Sequence, residues 1–207
     1  MNLTRPRYLP DHKIASLRGP VNAAGILVRS QLPKLHTQRD PKALAGHAKF
    51  NATYGAMVKM LDNAGIVGLA GQRGTGKTQM ASMYTVRLAD LLSGRVIDDT
   101  PIVYRRAIEL CADIRNNQEG FLAAIKPYAR AMFLVVDECH VRSDTAFELN
   151  VLTTIVDRRY CDRLPTLLIS NELPDEFAKS LGESIVDRMQ EGGGILPCDW
   201  ESLRGAV

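Results

Sequence analysis

The sequence has no apolar run long enough to cross a membrane. Its longest apolar runs, such as residues 132–136, are far shorter than the ~20 residues that a membrane-spanning helix needs. The N-terminus carries Arg5, Pro6, Arg7 and Pro10 without an apolar core, so we expect no secretory signal. The sequence therefore predicts a cytoplasmic protein that makes no membrane contact.

Cysteine is also scarce, with four in 207 residues and no C-x-x-C pair among them. Wide spacing of this kind is unlike a zinc site or a disulfide framework and favours reduced thiols in a cytosol. The cysteines are Cys111, Cys139, Cys161 and Cys198.

Charge is distributed unevenly along the chain. Residues 1–60 contain ten lysines and arginines against two acidic residues, whereas residues 61–207 contain sixteen against twenty-one. A basic arm beside an acidic body predicts separate roles for the two. The arm could meet nucleic acid or an acidic protein surface. It could equally be a solvated tail, because five prolines between residues 6 and 41 interrupt any long element.

Short apolar runs alternate with longer helical patterns from residue 42 onwards. This alternation favours an α/β fold, in which a parallel sheet carries helices on both faces. A first helix is predicted to end near Gly65. The predicted strands are 66–70, 102–104, 132–136, 166–170 and 194–197, and the later helices are 77–92, 107–116, 121–130, 145–160, 174–179 and 184–191.

Residues 71–78 (Gly-Gln-Arg-Gly-Thr-Gly-Lys-Thr) fit the phosphate-loop pattern G-x-x-x-x-G-K-[ST]. They follow a predicted strand and open a predicted helix, which is the context that the motif requires. Glycines let successive backbone N–H groups face one concavity, and the helix N-terminus attracts an anion. In such a loop Lys77 reaches the β- and γ-phosphates of ATP and the Thr78 hydroxyl ligates Mg²⁺.

Two acidic residues, Asp137 and Glu138, end the apolar run at 133–136, 60 residues after Lys77. Strand ends of a parallel sheet gather where ligands bind, so we expect both beside the phosphate loop. Asp137 would hold Mg²⁺, and Glu138 would polarise the attacking water; the alternative is an ordinary strand end with solvated carboxylates. Cys139 and His140 complete an Asp-Glu-Cys-His string that resembles a helicase box. Helicases of that class need two such domains, and this sequence has room for one, so we reject that interpretation.

Further polar residues could complete this site. Asn171 follows a predicted strand and could orient the water or contact the γ-phosphate, or it could simply form a turn. Arg188 could reach a neighbouring subunit's γ-phosphate, or it could be an exposed helix arginine. Arg158 and Arg159 could face a neighbour or cap their helix.

The phosphate loop and the Asp137 strand are common to P-loop ATPases. More selective stretches are 155–159, 165–171, 181–183 with 187–189, and 199–204. With these stretches the chain resembles, from about Lys59 to its end, the DnaC/IstB group of AAA+ ATPases, and within it the DnaC-type replicative helicase loaders.

The resemblance implies a three-layer αβα sandwich with a five-stranded parallel sheet. Only 36 residues follow Asn171, so we expect a reduced or absent helical lid. The resemblance also implies a sensor role for Asn171, an arginine-finger role for Arg188 and nucleotide sensing by Arg204. The residues expected to contact ATP are Gly71, Arg73, Gly74, Thr75, Gly76, Lys77, Thr78, Gln79 and Arg204.

The resemblance further implies an ATP-dependent loader that self-associates with ATP and binds a hexameric replicative helicase and single-stranded DNA. Tyr104, Arg105, Arg106 and Arg115 lie where loaders contact that DNA, and their side chains suit stacking and phosphate contact. Hydrolysis is expected to be slow, because the bound state acts as the switch. The alternative is an IstB-like regulator of transposition, which coats duplex DNA.

Two departures from the family pattern bear on these expectations. Ser184 stands where loaders usually carry a second arginine, which leaves Arg188 to act alone. The basic arm of residues 1–55 is short, which suggests a phage or prophage loader with its own helicase contact. We expect residues 56–207 to form the ATPase domain.

Overall fold

A five-stranded parallel sheet forms the centre of the protein. The computed structural model describes residues 14–15, 47–92, 96–97, 102–140 and 145–203. The sheet contains β2 (Ile66–Ala70), β4 (Ile102–Arg106), β5 (Phe133–Asp137), β6 (Thr166–Ser170) and β7 (Gly194–Pro197), in the order β4-β5-β6-β2-β7. All four neighbouring pairs are parallel, so the predicted fold class is confirmed.

Seven helices connect and cover these strands in the described part of the chain. The sequence predicted each of them to within a few residues, except that the first begins later than its pattern. They are α1 (Ala48–Asp62), α2 (Lys77–Leu92), α3 (Ala107–Arg115), α4 (Phe121–Arg130), α5 (Thr145–Cys161), α6 (Pro174–Leu181) and α7 (Glu183–Gly192).

The helices form a layer on each face of the sheet because strand residues alternate in direction. Val67 and Leu69 of β2 pack with the buried residues of α1 and α2. Ile66 and Ala70 lie in a second core cluster with the buried residues of α3 to α7. The result is the expected three-layer αβα sandwich.

One buried arginine ties the amino ends of the strands to the surrounding helices. Arg159 of α5 is fully buried, and its guanidinium donates to the carbonyl oxygens of Tyr128, Ala131 and Pro165 and to the hydroxyl of Thr166, at 2.7–2.8 Å. Arg159 is therefore an internal structural residue rather than a contact for a neighbour. Arg158, beside it in sequence, is exposed.

Little of the basic arm belongs to the described residues. β1 (Ile14–Ala15) pairs antiparallel with β3 (Val96–Ile97), two short strands that the sequence patterns did not reveal. The division expected after residue 55 falls inside α1, whose Phe50 is fully buried in the core. None of the helices described here combines the length and apolar character that crossing a membrane would require.

Candidate nucleotide-binding site

A glycine-rich loop joins β2 to α2 at the carboxyl end of the sheet. Gly71, Gly74 and Gly76 have φ angles of 142°, 87° and 89°, a region that favours glycine over any residue with a Cβ atom. At Gly71 an added Cβ would also lie 2.3 Å from the carbonyl oxygen of Cys198. The backbone therefore turns as sharply as a phosphate-binding loop requires.

Lys77, the first residue of α2, is buried beneath this loop. Its Nζ donates to the carbonyl oxygens of Gly71 at 2.7 Å and Gln72 at 2.8 Å. The ammonium group thus lies inside the concavity, at the amino end of a 16-residue helix. Both the side chain and the helix end favour an anion at this place.

The structure brings Thr78 and Asp137 into direct contact, although 59 positions separate them. The Thr78 hydroxyl donates to Asp137 Oδ2 at 2.9 Å. The backbone N–H of Glu138 donates to Asp137 Oδ1 at 2.7 Å. The strand end and the phosphate loop therefore meet as the sequence predicted.

Tyr104 is a second side-chain donor to Asp137. Its hydroxyl lies 2.5 Å from Asp137 Oδ2. Burial, followed by the charge of Asp137 and this hydrogen bond, raises the pKa of the Tyr104 hydroxyl far above its usual value. The hydroxyl therefore stays protonated and donates. The sequence singled out Tyr104 only for DNA contact and gave no signal of this role.

Glu138 follows Asp137 at the mouth of the site. It is half-buried and has a φ of +55°, which is uncommon for a residue other than glycine. Such backbone conformations cluster at functional sites, because surrounding structure must hold them in place.

The chemistry of these groups fits a magnesium–triphosphate. Hydroxyl and carboxylate oxygens are the ligands that Mg²⁺ prefers, and it is usually bound through one or two carboxylates together with substrate phosphates. Thr78 and Asp137 supply that pair of oxygens. The described residues contain no group of three or more histidine, cysteine, aspartate or glutamate side chains able to hold a metal by themselves.

Asn171 lies on the neighbouring strand end, directly after β6. Ser170 pairs in register with Ala70, so Asn171 stands next to the first glycine of the loop. His140 contacts it twice: the Asn171 backbone N–H donates to His140 Nδ1 at 3.3 Å, and the two side chains lie 3.2 Å apart. His140 therefore belongs to this group of residues, which its place in a helicase-like string did not reveal.

The segment after β7 packs against the outside of the phosphate loop. Trp200, the only tryptophan of the sequence, donates its indole N–H to the Thr75 carbonyl oxygen at 3.0 Å. The Leu203 N–H donates to the Gly74 carbonyl oxygen at 2.9 Å. This stretch was recognised as a family feature, but its contact with the loop was not predicted. Arg204 lies outside the described residues.

Arg188 lies at the opposite end of the sheet. It lines a cleft of about 350 Å³ with Gly65 and Ile66, at the amino end of β2. Arg188 Nε is 2.6 Å from Asp157 Oδ1, and its guanidinium lies over the Tyr160 ring. A strand rises about 3.3 Å per residue, so Arg188 is roughly a strand length away from its own phosphate loop.

Two further residues expected to contact ATP lie on the phosphate loop and at the start of α2. Arg73 is exposed on the loop, and Gln79 is buried in the first turn of α2.

Three arginines expected to contact DNA each have a partner within the chain. Arg105 pairs with Asp113, Arg106 pairs with Glu109, and Arg115 lies over the Phe147 ring.

Comparisons with known proteins relate the chain to replication proteins. No protein-family model matches it. The replicative helicase loader DnaC of Escherichia coli K12 is 29% identical over 140 residues, which is 67% of this chain and 56% of that protein. The chain thus spans little more than half the length of the curated relatives that it matches.

Two solved structures show the same fold at low sequence identity. The crystal structure of DnaI matches with a TM-score of 0.55 and 16% identity, over 84% of this chain and 89% of that one. The replication initiator DnaA bound to AMPPCP and single-stranded DNA matches with a TM-score of 0.57 and 17% identity, over 73% and 45%. The chain therefore has the fold of AAA+ P-loop ATPases.

Proposed function

We propose that this DnaC-like AAA+ protein is an ATP-dependent loader of a replicative ring helicase. The 2.9 Å contact between Thr78 and Asp137 carries the nucleotide part of the proposal, because it joins a phosphate loop to the acidic strand end. The similarity to DnaC supports the loader part. The AMPPCP in the DnaA structure supports ATP as the nucleotide.

The residues of the site divide the work of binding and hydrolysis. The loop N–H groups and Lys77 bind the phosphates, while Thr78 and Asp137 would hold Mg²⁺. The ion would supply positive charge that neutralises the phosphates. Glu138 polarises the attacking water, and Asn171 orients it. His140 fixes the orientation of Asn171 through its two contacts.

Arg188 would act on the nucleotide of a neighbouring subunit. Arg188 lies roughly a strand length from the phosphate loop of its own chain, so the γ-phosphate that it could contact is the one bound by a neighbouring subunit. Asp157 and Tyr160 hold the side chain at the surface, where 26% of it is exposed. We therefore propose that ATP promotes self-association, with Arg188 completing the site across the interface.

Single-stranded DNA would bind along α3, with Arg105 and Arg106 just before the helix and Arg115 at its end. Arg106 and Arg115 are both exposed; the Arg106 side chain is 52% exposed, and its partner Glu109 lies in the first turn of α3. Arg105 and Arg115 would add phosphate contacts if they exchanged their present partners for DNA. The single-stranded DNA in the DnaA structure supports this part of the proposal.

A pull-down from host extract with ATP present tests the loader function. The full chain should capture a replicative helicase, whereas recovery of a transposase would favour the IstB-like alternative. Deletion of residues 1–46 should abolish helicase capture but preserve ATP binding, because the cut spares α1 and its buried Phe50. Helicase capture by the truncated protein would show that the arm is not the contact.

A further inference from the structure

We propose that Tyr104 is a positioning residue for Asp137, so that strand β4 controls how the magnesium-binding carboxylate is held. The inference rests on the proposed nucleotide site and adds a residue that phosphate-loop and strand-end motifs do not contain. Tyr104 belongs to a strand that contributes no other group to the site as described above.

The strand register explains why Tyr104 reaches Asp137. Arg106 lies opposite Asp137 in the parallel pair of β4 and β5, and Tyr104 lies opposite Val135. Tyr104 and Arg106 are two positions apart, so Tyr104 shares a sheet face with Asp137. Two strand residues span about 6.6 Å, a distance that a tyrosine ring and hydroxyl can cover.

Three donors together determine the orientation of the Asp137 carboxylate. Tyr104 and Thr78 both donate to Oδ2, and the Glu138 N–H donates to Oδ1. A carboxylate oxygen offers about two acceptor sites, so Oδ2 is fully used while Oδ1 retains one. Tyr104 therefore helps to decide which oxygen of Asp137 remains available at the mouth of the loop.

Tyr104 also keeps the Thr78 oxygen available. A hydroxyl has one hydrogen to donate and two lone pairs. Because Thr78 gives its hydrogen to Asp137, its lone pairs remain for a cation. That arrangement requires Asp137 to stay in place, and Tyr104 is the other side chain that donates to the same oxygen.

The Tyr104→Phe substitution isolates this role, since it removes only the hydroxyl and keeps the ring that packs against the core. Tyr84→Phe is the matched control. Tyr84 also donates its hydroxyl to an aspartate, Asp62, at 3.0 Å, but Asp62 lies outside the site. Thermal melting of both variants verifies that each is folded.

The decisive measurement is the Mg²⁺ concentration that gives half-maximal binding of a fluorescent ATP analogue, together with nucleotide binding in EDTA. Losing a group that orients a metal ligand costs about 10- to 100-fold in metal affinity or activity. Tyr104→Phe should therefore raise the Mg²⁺ midpoint about tenfold and leave binding in EDTA unchanged. Tyr84→Phe should change neither.

A double-mutant comparison separates positioning from a general structural effect. In an Asp137→Asn background, adding Tyr104→Phe should produce no comparable further shift, because the carboxylate that it positions is gone. An unchanged midpoint in Tyr104→Phe, or the same shift in both backgrounds, would overturn the inference. Failure of the proposed function looks different, since the unmodified chain would then bind no nucleotide.

Discussion

The indole N–H of Trp200 donates to the carbonyl oxygen of Thr75, 3.0 Å away, and so ties the segment after β7 to the phosphate loop. The Trp200 ring also packs against Phe50 of α1, with the ring centroids 6.3 Å apart. Three distant parts of the chain thus meet on the outer side of the loop. This contact makes Trp200 both a support for the loop and a natural reporter of its state.

Replacing Trp200 with phenylalanine should weaken the loop. The substitution keeps an aromatic ring but leaves the buried Thr75 carbonyl without its donor, at a cost of about 1–3 kcal/mol in the free energy of unfolding. Thermal melting followed by circular dichroism measures that loss. In the unmodified protein, ATP bound at the loop should change the fluorescence of this single tryptophan; a constant emission spectrum at saturating ATP would contradict its role as a reporter of the loop.

Lys77→Ala should remove nucleotide binding. The ammonium is buried inside the loop, and losing a charged hydrogen bond to phosphate costs up to about 3 kcal/mol, or roughly a hundredfold in affinity. Titration with a fluorescent ATP analogue gives the dissociation constant. Lys59→Ala makes the same change of charge at an exposed position of α1 and should bind normally. Retained affinity in Lys77→Ala would refute the assignment of the site.

Glu138→Gln should slow hydrolysis while preserving ATP binding. Removing a general base lowers the rate of the chemical step about 10²- to 10⁴-fold, whereas the phosphate contacts are untouched. The trapped ATP state should also increase self-association, which sedimentation in the presence of ATP can detect. Hydrolysis at the normal rate would mean that another residue activates the water.

Arg159→Ala should be among the most destabilising substitutions in the protein. It removes the guanidinium donor from several buried carbonyl oxygens and opens a cavity, at a cost of about 3–5 kcal/mol. Arg158→Ala, at the adjacent exposed position, should change the unfolding free energy by about 0.5 kcal/mol or less. Urea unfolding of the two variants compares them directly, and equal stabilities would contradict the buried network.

One cysteine in four should react rapidly with a thiol reagent in the folded protein. Cys161 is exposed, whereas Cys111, Cys139 and Cys198 are buried. Burial raises the pKa of the Cys198 thiol to about 12, so at neutral pH it stays protonated and poorly nucleophilic. Colorimetric titration should give one fast thiol before denaturation and four after it; fast reaction of Cys198 would argue against its burial.

The order of elements and the phosphate loop could be predicted from the sequence because both depend on local patterns. The bounds of β2 (Ile66–Ala70) and α2 (Lys77–Leu92) follow from an apolar run, a glycine-rich turn and helical spacing. The meeting of Asp137 with Thr78 was also predictable, since parallel strands end at one edge. The pair formed by β1 and β3 was not, because two residues are too short for a periodic pattern.

Tertiary structure alone decided which side chains support the site. Tyr104 and Asp137 are 33 positions apart, His140 and Asn171 are 31 apart, and Trp200 and Thr75 are 125 apart. Each contact depends on strand order, on register and on the face to which a side chain points, and none of these is written in a local pattern. The sequence by itself determined where phosphates can bind; packing of the strands determined which tyrosine, histidine and tryptophan contact and support that site.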